Sequence, residues 1–91
     1  EVAEAKSSWD IAVVGGYKPA TITIPNGKKS TITFTRKDPN SCLEEIVLPD
    51  FKIKKFLTLG EPVTISVSPT KPGIYGMHCG MNMFHGKIIV V

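Results

Sequence analysis

Short apolar–polar alternations recur between glycine and proline turns along most of this chain, and no long stretch keeps a helical period. That pattern restricts the chain to packed β-sheets. Residues 20–24 alternate strictly, as do residues 31–35, where Ile32 and Phe34 fall on one face, and residues 63–67. Each reads as a half-buried strand with one wet side. Residues 9–14 form a further β-prone run that stops at Gly15 and Gly16, and residues 43–48 a short one closed by Pro49 and Asp50. Residues 87–91 are nearly all apolar, as a central strand requires. Pro25, Asn26, Gly27 and Lys28 separate two of these strands, and Asn-Gly is the strongest short hairpin signal, so a hairpin is expected there. Residues 36–41 read as a polar loop with Cys42 at its exit. In residues 51–59 the apolar positions Phe51, Ile53, Phe56, Leu57 and Leu59 fit neither period, so that segment is expected to be irregular. The expected fold class is all-β, a sandwich or barrel.

Length and charge narrow the function. At 91 residues the chain is expected to form one domain over 1–91, with 1–8 as a polar lead-in. Hydrophobic residues make up 42% and charged residues 21%, enough to build a core and too apolar for a disordered tail. No apolar run approaches the roughly 18 residues of a membrane span. No initiator methionine opens the chain, so a signal peptide or anchor upstream of Glu1 is compatible with it. The net charge of +3 comes from lysines scattered at 28, 29, 52, 54, 55 and 71. Nucleic-acid binding, which calls for a concentrated basic stripe, is not expected. A mild attraction to an anionic membrane surface or an acidic partner is.

The chemistry is concentrated between His78 and His85, where Cys79, Met81 and Met83 lie with two imidazoles just before the last strand. Run extended, Met77, Cys79, Met81, Met83 and His85 would share one face. Gly80 and Asn82 favour a turn that converges the sulfurs instead. Polarisable thiolate and thioether donors select soft ions, Cu(I) above all. The two cysteines, Cys42 and Cys79, admit two readings: a disulfide that staples a small domain, or two thiolate ligands. Their spacing is no zinc-finger pattern. The methionines beside Cys79 favour metal, since a structural disulfide does not need them. No nucleophile–base pair and no open metal position stand out, so no enzyme is expected.

The run from Gly16 to Pro19, a ligand near mid-chain, the run from Pro72 to Tyr75, and Cys79 shortly before Gly86 together resemble the cupredoxin family. The resemblance spans nearly the whole chain after Trp9. It implies a Greek-key β-sandwich that holds copper at one end, with one ligand from mid-chain and the rest from the loop between the last two strands. A blue-copper carrier of this family has histidine at the mid-chain position and a second histidine three or four residues after the cysteine. Here Cys42, Asn82 and Met83 stand at those places. Cys42 followed by Leu43, Glu44 and Glu45, with the run from Cys79 to Met83, looks like the cell-surface Cu(I) chaperones. It also looks like the related amino-terminal domains of the copper-exporting P-type ATPases they serve. That likeness implies two adjacent Cu(I) ions bound by Cys42, Cys79, Met81 and Met83, the cysteines forming the tighter site and the methionines the weaker one. It implies a monomer at the cell surface, held by a membrane anchor upstream of Glu1, that delivers copper to the ATPase in copper resistance. His78, His85 and Met77 match no ligand position and are expected in the outer shell or the core. Phe84 and Tyr75 are expected to pack.

Overall fold

The computed structural model describes residues 6–40, 43–80 and 84–91. The lead-in 1–5 and the predicted ligands Cys42, Met81 and Met83 lie outside the described residues. The strands are β1 (Ser8–Val13), β2 (Tyr17–Lys18), β3 (Thr21–Ile24), β4 (Ser30–Arg36), β5 (Glu45–Leu48), β6 (Ile53–Phe56), β7 (Pro62–Val67), β8 (Gly73–Cys79) and β9 (His85–Val90). A 3-10 turn, Pro49–Phe51, links β5 to β6.

Two sheets face each other. One has the order β2-β1-β4-β7 and the other β3-β9-β8-β5-β6. Strand β1 runs parallel to β4, and β3 runs parallel to β9, so each sheet pairs an early strand with a later one in parallel. The alternating strands supply the layer between the sheets. Ile11 and Val13, Ile32 and Phe34, and Ile65 and Val67 come from one sheet, and Ile22, Ile24, Ile46, Leu48, Ile88 and Val90 from the other, all at most 3% exposed. Burying each such side chain contributes roughly 1.5–3 kcal/mol, and the alternating period puts them all on the inner faces. Trp9 ties the layers at the rim, its Nε1 donating to Thr23 O at 2.9 Å and Lys6 O at 3.0 Å.

Three expectations are corrected. The Asn26–Gly27 turn makes no hairpin: β3 and β4 belong to different sheets. Pro25 and the two lysines lengthen the connection beyond a two-residue turn, and β3 takes the open slot beside β9. The turn's amides bond outward instead, Asn26 N–H to Val91 O at 2.9 Å and Gly27 N–H to Pro69 O at 3.1 Å, while Gly27 takes φ +77° at no steric cost. The segment expected to be irregular contains β6, an edge strand paired only with β5. Its residues are half-buried or exposed, so no buried face imprints a period on the sequence. Finally, Arg36 belongs to β4 rather than to the following loop, and is 7% exposed.

Candidate metal centre

Cys79 ends β8, whose inward positions are Met77 and Cys79. Its side chain is fully buried. Its Cα partner is Ile46 of β5, and its backbone N–H donates at 3.1 Å to the carbonyl of Phe84, the residue before β9. The amide of Phe84 donates to Cys79 Sγ at 3.4 Å, an outer-shell contact of the kind that supports a metal-bound thiolate. Gly80 follows, its N–H on Glu45 O at 3.2 Å. A side chain there would displace the Glu45 carboxylate and come within 3.1 Å of Glu45 Cβ, so glycine gives the turn out of β8 its easiest fit.

The opposite sheet brings Tyr17. It is 5% exposed, stands edge-on to Phe34 with ring centroids 6.4 Å apart, and its hydroxyl has no hydrogen-bond partner among the described residues. Burial first, and the Cys79 thiolate second, push its phenol far above the ordinary tyrosine range, so it stays a neutral O–H. A buried thiol, an amide aimed at it and an unused hydroxyl nearby fit a soft cation between the sheets, because such an ion is held by sulfur and surrounded by neutral donors.

The loop after β4 leads in sequence to Cys42. Arg36 lies at the next inward position after Ile32 and Phe34. It donates from Nε to Asp38 O at 3.0 Å, from Nη1 to Leu57 O at 3.0 Å, and from Nη2 to Pro39 O and Asn40 O at 3.2 and 3.3 Å. Asn40 O also accepts the Leu43 amide at 3.0 Å. The two described residues nearest Cys42 are thereby joined, and Leu43 is fully buried. Asp38 completes the loop, accepting from Asn40 N–H at 3.0 Å and Gly15 N–H at 2.8 Å.

Those two amides, Asn40 first, and then Arg36 hold the Asp38 carboxyl below its ordinary value of 3.8. A carboxylate depressed in the folded state stabilises the fold above its unfolded value, and that contribution is lost as pH falls through the lower folded value. Asp38→Asn should therefore remove part of the acid-limb slope of stability below about pH 4, measured by denaturant unfolding at stepped pH. NMR should find Asp38 titrating below the other exposed carboxylates. An ordinary titration midpoint would contradict the tether.

Of the sequence-predicted ligands, the described residues thus position Cys79, while Cys42, Met81 and Met83 lie outside them. Met77 is a core residue at 1% exposure. It fills the space over Gly86, where a side chain would collide with Met77 Cε and approach Ala20 O to 2.8 Å. His78 and His85 are directly opposite on β8 and β9 and turn to the outer face. Tyr75 packs as expected, its ring 5.3 Å from that of Phe51. Sequence reading missed Arg36, Asp38 and the orphan hydroxyl of Tyr17. Arg36 had a signal, since the alternation of β4 carries straight on to it.

A two-sheet sandwich with β1 and β3 each paired in parallel, and with a cysteine closing the penultimate strand, defines the cupredoxin architecture. The chain matches the model of the cupredoxin-like domain over residues 1–90 and belongs to that family. It is similar to a copper-binding protein whose apo form was solved in solution, at 37% identity, covering 98% of this chain and 93% of that one with a TM-score of 0.87. It is also similar to the metal-binding domain of the Cu(I)-exporting P-type ATPase CopA of Streptococcus pneumoniae D39, solved with Cu(I), at 30% identity, coverage of 98% and 91%, and a TM-score of 0.89. Reduced auracyanin from Roseiflexus castenholzii shares the fold at 17% identity, coverage of 97% and 99%, and a TM-score of 0.76. No curated protein sequence matches significantly.

Proposed function

We propose that this chain binds two Cu(I) ions through Cys42, Cys79, Met81 and Met83 and passes them to a copper-exporting P-type ATPase. The observation that carries the reading is the fully buried Cys79 sulfur with the Phe84 amide on it, in a domain similar to the metal-binding domain of such an ATPase. Two thiolates carry charge and hold Cu(I) tightly, whereas two neutral thioethers bind it more weakly. A partner thiol displaces such ligands one at a time, so tight holding is compatible with fast transfer. In this reading the domain is not an enzyme. It works as a monomer at the cell surface, below an anchor preceding Glu1.

The similarity to the exporter's own domain also supports a second reading, in which this domain is tethered to the ATPase and loads it from within. The two differ only in what precedes Glu1. An electron carrier is disfavoured, because sulfur donors in place of two imidazoles select one oxidation state.

The test is a Cu(I) titration against a competing chelator under reducing conditions. Two equivalents are expected to bind, and Zn(II) should not displace them. Cu(II) added to the unreduced protein should give no lasting intense blue band, because that band needs a stable Cu(II)–thiolate with imidazole partners. One equivalent of Cu(I), or a persistent band, would overturn the proposal.

A further inference from the structure

We propose that His78 and His85 form a second metal site, on the outer face of the β8–β9 pair, for a divalent first-row ion such as Cu(II). The two residues are Cα partners. Cys79 N–H bonds to Phe84 O one step further along, and hydrogen-bonded and non-hydrogen-bonded pairs alternate in an antiparallel ladder. His78 and His85 therefore occupy a non-hydrogen-bonded pair, where opposed side chains come closest. Their inward neighbours Met77, Cys79 and Gly86 are buried, which turns both imidazoles outward. His78 is half-buried and His85 exposed.

The spacing of the rings suits a shared ion. Their centroids are 6.1 Å apart and their planes tilted by 46°. With metal–nitrogen bonds of about 2.0–2.1 Å, two imidazoles on one ion have centroids roughly 4.5–6.5 Å apart, a range that includes the spacing of this pair. The second observation concerns His78 alone. Its Nδ1 lies 2.6 Å from Cys79 O, and a carbonyl can only accept, so Nδ1 carries the proton and Nε2 keeps its lone pair. A ligating histidine typically has its other nitrogen tied to a carbonyl in this way, which fixes tautomer and ring direction before metal arrives. Imidazole donors suit borderline divalent ions, and Cu(II) binds most tightly of the first row. Water would fill the remaining positions.

This inference does not rest on the Cu(I) reading, since the imidazoles face away from Cys79 Sγ and prefer a different oxidation state. Cu(II) titration of the thiol-free Cys42→Ser/Cys79→Ser chain should give one bound equivalent, with two-nitrogen superhyperfine structure in its paramagnetic resonance spectrum. Losing an outer-shell partner costs a metal site about 10–100-fold in affinity, so losing a ligand, in His78→Gln or His85→Gln, should cost about tenfold or more and remove one nitrogen. Unchanged affinity in either variant, or a spectrum without paired nitrogens, overturns the site. Should the thiol-free chain not fold, wild-type protein preloaded with Cu(I), which is diamagnetic, is titrated with Zn(II) while the two imidazole ring protons are followed by NMR. Both rings shifting together is the expected result, and rings that stay put or shift singly overturn the proposal.

Discussion

Cys79→Ser is expected to abolish tight Cu(I) binding, lowering affinity on the order of a hundredfold or more. The cause is chemical rather than steric. Serine nearly keeps the volume but offers a hard neutral hydroxyl where a soft charged sulfur is needed. Because Cys79 is fully buried, the new hydroxyl enters an apolar setting and costs the fold about 1–3 kcal/mol unless it bonds. The Phe84 amide that now reaches Sγ at 3.4 Å is the available partner, so the loss should fall at the lower end. Cys42→Ser should likewise remove the tight site. Met81→Leu and Met83→Leu preserve volume and should cost under about 1.5 kcal/mol, yet each should lose the second ion and slow delivery to an acceptor domain. The competing picture, a sandwich stapled by a Cys42–Cys79 disulfide, expects otherwise. There, both serine variants lose about 2–5 kcal/mol under non-reducing conditions and the leucine variants change nothing. Copper stoichiometry, melting temperature and transfer rate for the four single variants separate the two. Unaltered copper binding in both leucine variants together with a large stability loss in the serine variants would leave the disulfide picture standing.

How much was legible follows from where each residue's partner lies. Ile32 with Phe34, Ile65 with Val67, and Ile88 with Val90 were readable because each strand turns one face to the core, and period two survives any choice of neighbour. The sheet assignment was not. The slot beside β9 that β3 occupies is decided by residues more than sixty positions away, while the Asn26–Gly27 signal is purely local. Strand β6 escaped for the opposite reason: Lys54 and Lys55 are both exposed, and Phe56 is 58% exposed at the sheet edge. At the candidate centre, Cys79 stood out by chemistry. Arg36 and Tyr17 did not, because a charged residue at a loop boundary and an aromatic after a double glycine look like surface and core until the opposite layer is in place. The cross-strand pairing of His78 with His85 depends on where the β8–β9 turn falls, and Gly80 and Asn82 each offer the sequence a place for it.

Arg36→Met should destabilise the fold by about 3 kcal/mol or more, since hydrogen bonds to a charged group contribute about 1.5–3 kcal/mol and buried carbonyls left without donors cost about as much. Methionine keeps most of the apolar stem and so isolates the guanidinium's part. That part is unusual in having, among the described residues, no buried carboxylate as its main partner. The fork is spread over the carbonyls of Asp38, Leu57, Pro39 and Asn40, with the exposed Asp38 carboxylate contributing only weakly. The guanidinium thus closes the loop after β4 onto the segment after β6. Lysine cannot replace it, because a single ammonium lacks a planar fork to span these oxygens, and Arg36→Lys should recover less than half of the loss. The effect should also be directional. Asn40 O is shared between Arg36 Nη2 and the Leu43 amide, so release of the guanidinium frees the stretch that carries Cys42. Amide exchange should therefore quicken at Asn40 and Leu43 more than at Ile65 or Ile88 in the core, and the proposed tight Cu(I) site should weaken even where the protein remains folded. Urea unfolding, residue-resolved hydrogen exchange and the Cu(I) competition titration on Arg36→Met and Arg36→Lys measure all three. A loss below about 1 kcal/mol, the level of a single exposed contact, or full recovery by lysine would show that Arg36 merely fills space at the end of β4.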